Sequence, residues 1–522
     1  MKNKYIFWLL GIIGLGIILR LINIGLESYW FDEIYSIALA KMPLNEIPVL
    51  TSRDFHPPFY YMLLNIWMII FGNTETVARS LSGLFSVLTI PIIFTIAKNV
   101  FNKKTALFSA IIFAVSRINI FYSQEVRMYT LLALLASISY LLIIKILQNK
   151  DKKPILWVLY ILVNSAMTYT HNFAFLIILS QVLYILFFWF KTKSAKSAKP
   201  IQFIISYIVL FLLYLPWLFV FLGQMKSVSN GFWLPAISIF SGGEAFIELS
   251  GSITLAIIFL ILLAVLIFKQ DRDKSTLNIA VSNRETNNSI IGTGIFWIWF
   301  ILPIALPLFV SYIFSPIFNA RYSLLTSPAL ILLVSAGIDK FNSKKVSYAI
   351  LIAIFALSIA TLVEDWTTYE KEDWRAAAKY IDKTVTNKDL IIVDVCREFD
   401  YLGDSQILVE IYTKNKKLNY YSLASNHTQK DLDRMLNKIK SYKNIYFVKS
   451  HGTDYHNPMD SIINRQGFAL NHSEYFQNYV RRYLYLEKYA PDKYDLYLKK
   501  CTISQSIKIE HFVPLNQIQN KK

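Results

Sequence analysis

Residues 56–72 read HPPFYYMLLNIWMIIFG. Two prolines open an apolar run from Pro57 to Phe71, and Gly72 closes it. At about 1.5 Å per residue such a helix reaches roughly 22 Å, short of the ~30 Å hydrocarbon core of a bilayer. Pro at the start and Gly just beyond the end are the residues that punctuate a helix. The run therefore predicts a half-embedded or interfacial helix, and every assignment of sidedness depends on its not being counted as a crossing.

Working outward, longer apolar runs lie on both sides. Residues 5–25, 77–98, 105–121, 125–148, 154–170, 172–190, 201–222, 254–269, 290–314, 323–338 and 345–363 predict eleven crossings. The first follows Lys2 and Lys4 and reads as a retained span, not a cleaved signal. Charge supports this arrangement. With the N-terminus inside, 20 of the 28 Lys and Arg up to Val363 fall in inside loops, and 9 of the 14 acids fall outside. Counting Pro57–Phe71 as a span would place every later basic loop on the wrong side.

Composition agrees: 55% of the 522 residues are hydrophobic and only 17% charged, against about a quarter in soluble domains. The net charge of +18 is spread along the chain, with its excess in the membrane half, so it predicts no nucleic-acid partner. Beyond Val363 the sequence becomes mixed and polar. Apolar runs at Leu390–Val395 and Asn444–Val448 alternate with helical patterns at Trp374–Ile381 and Lys430–Ile439, which predicts a small α/β domain. The expected organisation is a polytopic α-helical domain over 1–363, with a first external loop at 26–76, followed by a soluble extracytoplasmic α/β domain over 364–522. Cys396 and Cys501 both fall in the tail and permit one disulfide if they meet.

The residues suited to chemistry gather on the outer side. Tyr29-Trp30-Phe31-Asp32-Glu33-Ile34-Tyr35-Ser36, read as a helix, puts Trp30, Phe31 and Ile34 on one face and Asp32, Glu33 and Ser36 on the other. Asp54-Phe55-His56-Pro57-Pro58-Phe59-Tyr60-Tyr61 sets Asp54, His56 and Tyr61 at the start of the half-embedded helix. Tyr122-Ser123-Gln124-Glu125-Val126-Arg127 puts an acid at the mouth of a span, which is costly unless it faces a polar cavity. Arg127 would point nearly opposite Glu125 on a helix and so would not simply neutralise it. His171 and the pair Arg321-Tyr322 occupy outer turns. Taken singly, each stretch reads equally as a solvated or headgroup-anchoring face.

Their order is more specific. W-F-D-E (30–33), H-P-P-F-Y-Y (56–61), G-N-T-E-T-V-A-R-S-L-S (72–82) and Y-S-Q-E-V-R-M-Y (122–129) follow one another, then I-F-N-A-R-Y-S-L-L-T-S-P (317–328) and E-D-W-R-A-A-A-K-Y-I (372–381). This series resembles the polyprenyl-phosphate-dependent membrane glycosyltransferases of the protein O-mannosyltransferase and aminoarabinose transferase type. The resemblance implies a GT-C fold, sited in the cell membrane, and transfer of a hexose- or mannose-like sugar from a polyprenyl-phosphate donor, with inversion, to a lipid, glycan or protein acceptor outside. It implies Asp32 as the catalytic acidic residue with Glu33 its neighbour, and Glu125 as a second acid. His56, Arg127, Arg321 and Tyr322 would serve the donor phosphate, with Asp54, Tyr61 and His171 as further candidates. No cofactor is certain; a divalent ion between Asp32 and Glu125 would suit paired carboxylates, and relatives differ on this. The rival readings are a transporter or flippase, whose ionisable groups belong near mid-bilayer, and a surface-polysaccharide polymerase or ligase.

Overall fold

The computed structural model describes residues 2–148, 153–192, 200–229, 234, 237–276, 292–367, 371–394, 407–415, 417–423, 429–449, 463, 468–476 and 507–514. Cys396 and Cys501 lie outside the described residues. The chain forms two compact units: Met1–Ile24, Thr51–Gly72 and Thr76–Glu364 make the first; Gly25–Leu50, Asn73–Glu75 and Asp365–Lys522 make the second. The start of the first loop thus groups with the tail.

The first unit is helical. Among the described residues seven helices are long and apolar enough to cross a membrane, or nine if each of two bent pairs is one span. Each of the eleven expected segments holds a helix; Pro154–Thr168 and Ala174–Phe190 are apolar but shorter than the rest. The expected helix over 105–121 is bent by 56° between Lys103–Ala114 and Arg117–Gln124. The break lies at Ser116, whose backbone is extended (φ −65°, ψ 119°). Ser241–Ser250 meets Ile253–Lys269 at 93°, where Gly251 takes φ +99°, a conformation that favours glycine. Phe59–Phe71 is a 13-residue helix, about 20 Å long, that stops at Gly72 with φ +95°.

Helices Tyr129–Gln148 and Ala320–Asp339 are buried almost throughout, whereas Lys4–Leu21, Pro200–Val228, Gly294–Ile313 and Lys344–Thr367 turn apolar side chains such as Phe7, Phe219, Phe309 and Ile352 outward. That is the pattern of a bundle whose periphery meets lipid. Helix contacts use small residues where backbones approach: a Cβ at Gly337 would clash with the Leu262 carbonyl. Arg20, buried in the first helix, is satisfied by Ser86 Oγ (2.8 Å) and the Ala114 carbonyl (3.0 Å). The protein is a multi-pass membrane protein.

The second unit holds a five-stranded sheet: β1 (Leu390–Asp394), β2 (Asn419–Leu423), β3 (Ile445–Lys449), β4 (Phe468–Phe476) and β5 (Ile507–Pro514). The order is β2-β1-β3-β5-β4, with β1 parallel to β2 and β3 and β5 antiparallel to β3 and β4. In register, Leu390 pairs with Asn419 and Ile445, and Ile445 with Phe512. Leu390, Ile392, Ile445 and Phe447 pack with Met435 and Ile439 of helix Gln429–Ile439, so the alternating apolar runs of the tail form the expected α/β domain.

Candidate active site

Within the first unit, hydrogen bonds to the backbone bring distant motifs together. Asn172 Nδ2 donates to the Phe55 carbonyl (3.1 Å), and the Phe59 N–H donates to the Tyr169 carbonyl (3.0 Å). These bonds tie the H-P-P stretch to the turn carrying His171, leaving the His56 and His171 rings 5.6 Å apart. The Tyr322 ring lies 5.1 Å from that of His171 and 6.2 Å from that of Tyr129. Arg321 stands 5.7 Å over the Tyr322 ring, and Arg127 5.8 Å over that of Tyr129. Asn319 caps the turn before Tyr322 by accepting from the Arg321 N–H (3.2 Å). Ser82 Oγ bonds Tyr60 OH (3.1 Å) and donates to the Arg127 carbonyl (3.2 Å), fixing the arginine's backbone. Tyr61, buried next to Tyr60, packs edge-on against it.

The cluster combines cationic, neutral and acidic side chains. His56 Nδ1 lies 3.1 Å from Asp54 Oδ2. Burial would raise the Asp54 carboxyl, but His56 outweighs it, with the Phe55 backbone and Arg127 assisting, and holds it below the usual carboxylate range. His171 is held well below the ordinary histidine value, first by burial and then by His56, Arg127 and Arg321 around it. Its Nδ1 accepts from the Phe173 N–H (3.1 Å), so a neutral ring carries its proton on Nε2 and is a donor. Tyr129 OH is buried without a hydrogen-bond partner among the described residues. Two guanidiniums, an Asp-oriented imidazole and a neutral imidazole N–H therefore converge where charge-assisted hydrogen bonds to an oxyanion would be strong.

Glu125 is 4% exposed, in an extended residue between the short helix Tyr122–Gln124 and helix Tyr129–Gln148. Gln124 holds this stretch through the carbonyls of Arg20 (3.1 Å) and Ile22 (2.7 Å). Glu125 and Arg321 both act electrostatically on Tyr122, whose hydroxyl donates to Glu248 Oε1 (3.1 Å). Glu248 was not foreseen as a site residue. Its sequence signal is weak: helix Ser241–Ser250 carries two acids, Glu244 and Glu248, and neither belongs to a motif. Arg127, also 4% exposed, is buried and does not snorkel.

Asp32 and Glu33 belong to the second unit. They open helix Phe31–Ala40, in which every residue but Asp32 is buried. Glu33 and Ser36, expected on the polar face of this helix, are both 0% exposed. Tail residues supply the reason. Lys371 Nζ lies 3.3 Å from Glu33 Oε2, and the same carboxylate reaches back to accept from the Trp30 N–H (3.4 Å). Ser36 Oγ donates to the Asp32 carbonyl (2.9 Å). Asp32 keeps a partly exposed side chain. No three His, Cys, Asp or Glu side chains come together as an ion site among the described residues.

Residues 55–219 match the family model of dolichyl-phosphate-mannose-protein mannosyltransferases, a segment that includes His56, Glu125, Arg127 and His171. The fold is similar to that of ArnT from Cupriavidus metallidurans in the apo state (TM-score 0.56, 13% identity, covering 88% of this chain and 94% of that one). It is also similar to ArnT of the same organism bound to undecaprenyl phosphate (TM-score 0.55, 11% identity, 96% and 98% coverage). The apo oligosaccharyltransferase of Archaeoglobus fulgidus matches with a TM-score of 0.56 and 13% identity, over 86% of this chain and 70% of that one. No curated protein matches the sequence. At such identities the structural likeness is one of fold. The fold is GT-C-like, and the resemblance carried by the ordered motifs is borne out.

Proposed function

We propose that the protein is a membrane glycosyltransferase that moves a hexose- or mannose-like sugar from a polyprenyl-phosphate donor to an acceptor at the outer face of the cell membrane, with inversion. The observation that carries this reading is the cluster of buried Arg127, His171 and Tyr322 with half-buried Arg321 and His56, a set of donors suited to a phosphate. The likeness to ArnT with undecaprenyl phosphate, and the match to mannosyltransferases of dolichyl phosphate, support the class of donor.

In this reading the Asp32 carboxylate takes the proton of an acceptor hydroxyl. The acceptor oxygen attacks the anomeric carbon from the side opposite the phosphate. The anomeric C–O bond breaks and its electron pair leaves on the polyprenyl phosphate, whose added charge the arginines and His56 stabilise. Neutral His171 contributes a hydrogen bond without competing for the proton, and Glu125 orients the acceptor. Deleting the protein should remove one sugar from surface lipids, glycans or proteins, read by mass spectrometry, with accumulation of the lipid-phosphate donor. Unchanged surface glycans together with an unchanged donor pool would contradict the assignment.

A further inference from the structure

Three motifs far apart in sequence meet inside the second unit. Ser28 Oγ donates to the Glu372 carbonyl (2.6 Å), and the Lys371 N–H donates to Glu27 Oε1 (3.0 Å). Arg375 donates to the Leu26 carbonyl (3.2 Å) and, with Tyr412 OH, to Glu75 Oε1 (2.7 Å each). Tyr412 OH accepts in turn from the Tyr29 N–H (2.7 Å), and Tyr29 OH donates to the Asn73 carbonyl (3.0 Å). W-F-D-E, G-N-T-E and E-D-W-R are thus parts of one hydrogen-bonded clamp. At its centre the fully buried Glu33 carboxylate pairs with Lys371, whose side chain is 11% exposed.

We propose that Lys371 is a positioning residue for the acidic loop: by pairing with Glu33 it fixes the first turn of helix Phe31–Ala40 and leaves Asp32 as the loop's reactive acid. A buried carboxylate needs its counter-charge. Glu33 is therefore committed to the fold, and its neighbour, turned about 100° around the helix, is the one that stays partly exposed. Losing the lysine would let the first turn shift, and displacement of a reacting group by about 1 Å can cost on the order of a hundredfold in rate. The inference rests on the reading of Asp32 as the base.

The test compares wild type with Lys371→Met, Lys371→Arg and the exchange Glu33→Lys/Lys371→Glu in full-length protein. The measurements are turnover of a polyprenyl-phosphate-linked hexose and hydrogen exchange of the amides of residues 31–40. Lys371→Met should lower kcat by about 10- to 100-fold, leave the KM for donor unchanged, and speed exchange of those amides. Lys371→Arg should keep most of the rate, and the exchanged pair should recover part of it. Wild-type kcat in Lys371→Met would overturn the proposal, whether or not exchange quickens. An equal loss in Lys371→Arg, or in the exchanged pair, together with a raised donor KM would also overturn it, because general unfolding would then be the cause. If the wild type itself turns over no lipid-phosphate sugar, the transferase reading fails first and the role of Lys371 falls with it.

Discussion

Asp32→Asn should transfer sugar at least about a hundredfold more slowly than wild type while inserting and binding donor normally, because general-base catalysis typically supplies about 10²–10⁴-fold. Asparagine keeps the size and much of the hydrogen bonding of aspartate but cannot take the acceptor's proton. The adjacent acid gives the control. Glu33 is 0% exposed and paired with Lys371, so Glu33→Gln removes the negative charge that the half-buried lysine faces. That loss should appear as lowered thermal stability, with the residual turnover rate of intact protein less affected than in Asp32→Asn. Measuring single-turnover rates and melting temperatures on both variants separates the roles. Near-normal transfer by Asp32→Asn would remove the base from the account.

Arg321→Ala is expected to weaken donor use by about 10- to 150-fold, the ratio that corresponds to a charge-assisted phosphate contact of about 1.5–3 kcal/mol. Arg127→Ala should act similarly, since its guanidinium is buried and influences both Asp54 and His171. Both should raise the donor concentration needed for half-maximal rate. His56→Ala should do less, because it removes one hydrogen-bonding group and leaves two cations in place. Rate against donor concentration for the three variants checks the order. An Arg321→Ala protein with unchanged donor dependence and unchanged maximal rate would make Arg321 a headgroup anchor.

Much of the fold was legible because its signals are local. Helices in lipid announce themselves by runs of apolar residues; the short run before Gly72 gave the Phe59–Phe71 helix, and the alternation in the tail gave β1, β3 and the helices at Trp374–Thr384 and Gln429–Ile439. The break at Ser116 was not legible: Arg117 and Asn119 weaken the end of the 105–121 run, but the basic loops on both sides of it call for a single crossing. Of the site, the residues were readable only through the order of their motifs. His56 and His171 are brought together by one side-chain and one backbone hydrogen bond whose partners lie more than 100 residues apart. The pairing of Glu33 was not legible for the same reason: its partner, Lys371, is 338 residues away, and no periodicity within 30–40 could reveal it. Glu248 was not legible because it is one of two acids, with Glu244, in a short helix that carries no motif.

The central claim is that a sugar leaves a polyprenyl phosphate held by the arginine and histidine cluster. Its most direct measurement is the release of polyprenyl phosphate from a polyprenyl-phosphate-linked hexose by the purified protein in lipid nanodiscs, with membranes of the source cells supplying acceptor. Release should be matched by appearance of the hexose, with inverted configuration, on an acceptor, and should fall strongly at limiting donor in the double variant Arg127→Ala/Arg321→Ala. Equal release by wild type and the double variant at limiting donor, or no release above a protein-free control from any polyprenyl-phosphate-linked sugar, would contradict it.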